Sequence, residues 1–184
     1  MKEGKGKIYW TNGNSYEGDW KNDKREGKGT FTWKCGDKYE GEFKDGYREG
    51  KGIFYWKNGN RYEGEFKNNK MEGRGIFYYN DGDKYEGDWK NSVKEGKGKK
   101  IWAEGKESYG DWKNGNIEGK GTYTWKCGDK YEGEFKDGYR EGKGTYFFSN
   151  GNKYEGDWVK GEREGKGTFF GKMEINMKVI GKMM

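Results

Sequence analysis

The 184-residue chain is 38% charged and only 29% hydrophobic, a balance that in an ordinary chain points to disorder. Disorder is excluded by the aromatics, which make up 18% of the residues and recur at fixed spacing, so a periodic structure must hold them. The net charge of +6 is spread through interleaved Lys, Arg, Asp and Glu, which reads as a solvated face and argues against a nucleic-acid partner.

The chain starts with Met1-Lys2-Glu3-Gly4-Lys5-Gly6, which has no apolar leader core, and no later run approaches the ~18 apolar residues of a membrane span. A soluble, cytoplasmic protein is the expectation. Gly4 and Gly6 open a half-repeat. From there Tyr16, Tyr39, Tyr62, Tyr85, Tyr131 and Tyr154 share one phase of a 23-residue period, broken only by Ser108. Glycine pairs such as Gly27/Gly29, Gly50/Gly52 and Gly142/Gly144 keep step with them.

The second full unit shows the local pattern. Tyr39-Glu40-Gly41-Glu42-Phe43-Lys44 alternates aromatic or glycine with charge, the signature of a half-buried strand, and Gly50 to Trp56 forms the returning strand. Between them Asp45-Gly46-Tyr47-Arg48 reads as a turn, and Asn58-Gly59-Asn60 turns the chain into the next unit. Proline is absent, so glycine makes the turns. Parity places Tyr39, Gly41, Phe43, Gly50, Gly52, Phe54 and Trp56 on one face, where glycines leave room for rings to lie across the backbone. Glu40, Glu42, Lys44 and Lys51 project from the other. The predicted fold is therefore all-β, an elongated single-layer antiparallel meander of tandem hairpins whose units touch only their neighbours.

The fifth hairpin departs from the pattern, with Ser108 at the tyrosine position, Tyr109 at a charged one and Lys100 where a ring should point inward. Weaker packing, a bend or a partner contact is expected there. Trp33–Gly52 and Trp125–Gly144 are identical in sequence and offer two equivalent surfaces. Cys35 and Cys127 stand at equivalent points of this duplicated block, too far apart in such a sheet for a disulfide, and are expected to be free thiols. The array is read as residues 1–171, a half-repeat plus seven hairpins, with 172–184 as a C-terminal cap or tail. In that tail Ile175, Met177 and Val179 keep the inward parity and suit a capping strand; a short helix or a self-association segment is the competing reading.

The unit Tyr39-Glu40-Gly41-Glu42-Phe43-Lys44-Asp45-Gly46, followed by Glu49-Gly50-Lys51-Gly52 and Phe54, resembles the MORN (membrane occupation and recognition nexus) repeat, from about Lys2 to Phe170. The resemblance implies single-layered antiparallel sheets and a scaffold or linker role, as in ciliary radial-spoke heads, junctional membrane tethers and cytoskeletal rings. The lipid kinase or methyltransferase domains that follow such repeats in some members are not expected here, because the repeats consume the chain.

Candidate chemistry is sparse. Histidine, the commonest proton shuttle and metal ligand, is absent. Carboxylate pairs such as Glu40/Glu42 recur every 23 residues on a solvated face, whereas catalysis needs one special environment. The Gly-Lys-Gly triplets lack the helix and further glycine and hydroxyl positions of a phosphate loop, and Asp81-Gly82-Asp83 lacks the distal glutamate of a calcium loop. No enzyme, cofactor or metal is expected. The candidate binding surfaces are an aromatic groove made by Tyr39, Phe43, Phe54, Trp56, Tyr62 and Phe66; an apolar cluster on the other face, Ile53, Tyr55, Ile76 and Tyr78; and the hairpin-tip aromatics Tyr47 and Tyr139. Other proteins, cytoskeletal or axonemal subunits first, are the expected partners. Anionic membrane lipid is the second choice, disfavoured by the dispersed charge, and homodimerisation is left open.

Overall fold

A computed structural model describes residues 1–171 and the backbone of 176–180. It divides into two compact units, Met1–Val93 and Lys94–Met184. The first contains β1 (Gly4–Tyr9), β2 (Ser15–Lys21), β3 (Lys24–Thr32), β4 (Lys38–Lys44), β5 (Tyr47–Tyr55), β6 (Arg61–Lys67), β7 (Lys70–Tyr78) and β8 (Lys84–Lys90). The second holds β9, which begins at Val93 and ends at Ile101, followed by β10 (Glu107–Lys113), β11 (Asn116–Thr124), β12 (Lys130–Lys136), β13 (Tyr139–Phe147), β14 (Lys153–Val159), β15 (Glu162–Phe170) and β16 (Asn176–Ile180). Within each unit the strands pair antiparallel in chain order, a single-layer meander, and no helix occurs among the described residues.

Each hairpin is built by the same few residues. In the one formed by β4 and β5, Tyr39 faces Phe54, Gly41 faces Gly52 and Phe43 faces Arg48. The register slips between Gly41 and Glu42 because β5 holds two residues more there, Gly50 and Lys51 standing against a single step of β4. Gly50 takes up the slip with φ of +63°, a left-handed conformation that glycine adopts without penalty. The tip is two residues long, Asp45 and Gly46, both at positive φ, so its twist matches that of the strands. Tyr47 and Arg48, expected in the turn, instead open β5. The mis-assignment arose because the bulge at Gly50 lengthens the strand without any sequence signal beyond the glycine itself.

The connection to the next hairpin is a three-residue loop closed by Trp56 and Asn60, with Trp56 N–H donating to the Asn60 carbonyl at 3.0 Å. Neighbouring hairpins are also tied edge to edge. Glu26 accepts from the Asp45 N–H at 3.0 Å, and Glu49 from the Asn68 N–H at 3.0 Å; at the opposite edge Asp37 accepts from the Lys57 N–H at 2.9 Å. The recurring Glu before each bulge glycine therefore satisfies a turn amide of the next repeat.

The core is one face of the sheet. Tyr39 is fully buried, and its ring lies across the Gly41–Gly52 pair, where a Cβ on Gly52 would come within 2.6 Å of the ring carbon Cζ. Its hydroxyl donates to the Glu42 carbonyl at 3.0 Å, and Tyr62 repeats the contact with Glu65 at 3.1 Å. The rings meet edge to face across repeats: Tyr39 lies 5.1 Å from Phe43 and 5.0 Å from Phe66. Such pairs add about 0.5–1.5 kcal/mol each beyond their buried area.

The fifth hairpin solves the loss of its tyrosine differently from the expectation of loose packing. Ile117, on β11 where four other repeats carry Arg, is buried, and its Cδ1 reaches into the space over Gly110 and Gly121 that the ring fills elsewhere. One cost remains. Ser108 is 2% exposed and its hydroxyl has no hydrogen-bond partner among the described residues. The capping strand suggested for the tail has its backbone counterpart in β16, which pairs with β15 so that Val179 faces Gly167 and Met177 faces Phe169; Ile175 lies outside the described residues.

Two outcomes follow for stability. Gly52→Ala lowers the unfolding free energy by about 1–3 kcal/mol, and combining it with Tyr39→Leu costs less than the sum of the two, since the clash leaves with the ring; denaturant unfolding of the four proteins measures this. Ser108→Ala raises stability by about 1 kcal/mol in the same assay, because it removes a buried hydroxyl that nothing satisfies.

Candidate functional site

The aromatic residues proposed as a groove are consumed by internal packing. Tyr39, Phe43, Phe54, Tyr62 and Phe66 are buried, and Trp56 is half-buried between Phe54 at 4.5 Å and Phe77 at 5.1 Å. Rings of this second row form a continuous series through the first unit, from Trp10 through Phe31, Trp33, Phe54, Trp56 and Phe77 to Tyr79. Burial pushes the Tyr39 and Tyr62 phenols above their ordinary range and that of Tyr16 up to about 12, so these hydroxyls remain donors at any physiological pH.

Between the two rows of rings lie arginines, one of which, Arg48, the sequence reading placed in a turn. The Arg48 guanidinium sits 4.9 Å from the centre of Phe54, 5.6 Å from Phe66 and 5.7 Å from Tyr39, and donates to the Asn69 carbonyl at 2.7 Å. Arg25 and Arg140 occupy equivalent places, and burial lowers the pKa of all three guanidinium groups. A planar cation with a long apolar stem suits a slot between aromatic faces, with each contact contributing about 0.5–2 kcal/mol. A signal was present in the sequence. Met71 and Ile117 stand at the same phase of the repeat as Arg25, Arg48, Arg140 and Arg163, and apolar residues at that position mark it as facing inward.

The open hollow lies on the opposite, charged face. In the first unit a groove of about 910 Å³ runs across the strands from Lys28 to Glu86, with the glycine row Gly29, Gly41, Gly52, Gly64 and Gly75 as its floor. One wall carries Thr30, Glu40, Ile53, Glu63, Ile76 and Glu86, and the other Lys28, Glu42, Lys51, Glu65 and Arg74. In the second unit a groove of about 1170 Å³ is floored by Gly110, Gly121, Gly133, Gly144, Gly156 and Gly167 and walled by Tyr109, Thr122, Glu132, Thr145, Glu155 and Thr168 on one side. Lys97, Lys120, Glu134, Lys143 and Lys166 line the other. The expected aromatic groove is thus corrected: bulky rings fill one face, and the hollow forms where the side chains are short or absent.

Ile53 and Ile76 lie in this groove, on either side of Glu63, which faces both across the ladder. Tyr55 and Tyr78 flank them on the same face and are half-buried; Tyr55 faces Lys38 and lies 4.5 Å from its ammonium, and Tyr78 lies 4.2 Å from the Arg61 guanidinium. Tyr47 and Tyr139 stand apart at hairpin tips, 50% and 60% exposed. Cys35 and Cys127 are exposed free thiols in equivalent turns. Among the described residues no helix is long and apolar enough to cross a membrane.

The comparisons with known proteins agree with this architecture. The TCP domain of SAS-4 (dCPAP) from Drosophila melanogaster, solved in complex with a proline-rich motif of Ana2 (dSTIL), is similar in fold, with a TM-score of 0.53 at 10% identity over 97% of this chain and 90% of that one. The G-box domain of the microcephaly protein CPAP aligns over 97% of this chain and 100% of its own, at 11% identity and a TM-score of 0.48. No curated protein matches the sequence. The MORN repeat family model matches residues 1–15, 16–38, 39–61, 62–84, 85–107, 109–130, 131–153 and 154–172. With nearly every residue from 1 to 172 in such a match and the same tyrosine and glycine pair recurring in every full repeat but the fifth, where Ser108 replaces the tyrosine, this chain belongs to the MORN repeat family.

Proposed function

We propose that the protein is a non-catalytic scaffold whose grooves hold segments of other proteins, and that it serves as a subunit of a cytoskeletal assembly, a cilium being one setting. The observation that carries this reading is the groove on the charged face of each unit, which remains open after the aromatic rings and the inward arginines have been used up by internal packing. Both grooves repeat the same glycine floor and the same ladder spacing, so a partner that follows one row of side chains meets a regular series of contacts. Membership of a repeat family built of such sheets supports the reading, and so does the fold neighbour from SAS-4, which was solved in complex with a proline-rich motif of Ana2. The groove offers polar and small residues in series rather than one enclosed reactive group, which suits docking better than turnover.

Affinity capture with the full chain from its native cells, run beside the variant Glu63→Lys/Glu155→Lys, tests this. Cytoskeletal proteins are recovered with the wild type and fall by about tenfold with the variant, whose changes lie in the two grooves. Equal recovery by both proteins, or recovery of anionic membrane vesicles alone, contradicts the reading.

A further inference from the structure

The two grooves share a floor but not a chemistry, and the difference points to a particular kind of partner for the first. Five carboxylates and three basic groups line the groove of the first unit; three carboxylates and four basic groups line that of the second. Along one wall of the first groove, successive strands present Glu40, Ile53, Glu63, Ile76 and Glu86 in ladder register, an alternation of acid and apolar groups. At the matching positions the second unit has Thr145, between Glu132 and Glu155, and Thr168, on the far side of Glu155. The three glutamate side chains are 42%, 50% and 48% exposed; their nearest cations, Lys38, Arg61 and Lys84, precede each by two residues on the same strand, at 2.7, 3.8 and 3.0 Å. Each carboxylate is thus about half exposed and accessible to a second cation, Glu40 also accepting a long hydrogen bond from the Tyr55 hydroxyl at 3.4 Å.

Spacing selects the conformation of the occupant. The wall changes chemistry once per strand, a step of ~4.8 Å. An extended segment shows one residue per face about every 6.6 Å, and a polyproline helix returns to the same face only after about 9.3 Å. An α-helix presents a residue on one face every turn of about 5.4 Å, so its successive turns come nearest to the step of the wall. We infer that the groove of the first unit docks an amphipathic α-helix of a partner protein that alternates basic and aliphatic residues every three to four positions along one face. Its aliphatic residues seat on Ile53 and Ile76, and its cations meet Glu40, Glu63 and Glu86. About 14–16 helical residues span the row. This inference rests on the scaffold reading and names the partner chemistry of one of its two grooves.

The test uses the full chain and a labelled helical peptide of about 16 residues, with Lys and Leu alternating every third or fourth position and Ala elsewhere, followed by fluorescence anisotropy at several salt concentrations. The wild type binds it. Ile53→Asn/Ile76→Asn weakens binding by about tenfold or more, and Glu40→Gln/Glu63→Gln weakens it several-fold and flattens the salt dependence, while Thr145→Asn/Thr168→Asn in the second unit leaves it within about twofold. Circular dichroism confirms that each variant retains the sheet, and the glutamate pair, on the solvated wall, carries the test if the isoleucine pair fails to fold. The inference is overturned if the wild type does not bind, if a peptide with Glu in place of Lys binds as tightly, or if the isoleucine and glutamate variants both bind like the wild type. Should the peptide fail while cellular capture remains sensitive to Glu63→Lys/Glu155→Lys, the helix inference falls and the scaffold reading stands; failure of both removes both.

Discussion

A tyrosine ring laid flat over two facing glycines is the contact on which the rest of this protein depends. A single-layer sheet has no second layer to bury its strands, so each repeat must shield its own backbone. Tyr39 does this by covering Gly41 and Gly52 while its hydroxyl caps the Glu42 carbonyl at 3.0 Å. Any side chain at either glycine would displace the ring, and any residue smaller than tyrosine would leave the pair open. The contact explains why glycine, which is depleted in ordinary strands, recurs here beside tyrosine, which favours them.

The remaining positions follow from that contact. The bulge at Gly50 shifts the register by two residues, which keeps the parity of β5 and sets Arg48 opposite Phe43, in the slot between the Tyr39/Phe66 rings and the Phe54 ring. Glu49 then falls where it can accept the turn amide of the next hairpin, at 3.0 Å from Asn68. Filling one face with rings and arginines and the other with glycine backbone and short or charged side chains makes the two faces unequal in bulk, and the hollow forms on the lighter side. Function, on this account, is placed on the face that packing leaves free.

Much of this was legible from the sequence. The 23-residue period gave the strands, the meander, the facing of Tyr39 and Phe54 and the outward set containing Ile53 and Ile76, because period-2 alternation and glycine placement are local signals. What stayed hidden is instructive. Arg48 looked like a turn residue because the two-residue tip, Asp45 and Gly46, was read as a four-residue turn, and only the apolar Met71 and Ile117 at its phase gave it away. The groove was assigned to the aromatic face because ring content was taken for openness, whereas rings at 4.5–5.6 Å from one another leave no room for a guest. The repair of the fifth repeat by Ile117 was equally invisible, since it pairs residues on two strands whose contact depends on the same bulge.

Hydrogen exchange of the backbone amides under native conditions tests the central claim most directly. If the tyrosines seal the glycine rows, the amides of Gly41, Gly52, Gly64 and Gly75 exchange only through unfolding of the unit that holds them, slower by orders of magnitude than those at hairpin tips such as Gly46. Exchange of the glycine rows at the rate of the tips would mean that the rings do not shield the backbone, and the account of how this sheet stands without a second layer would fail.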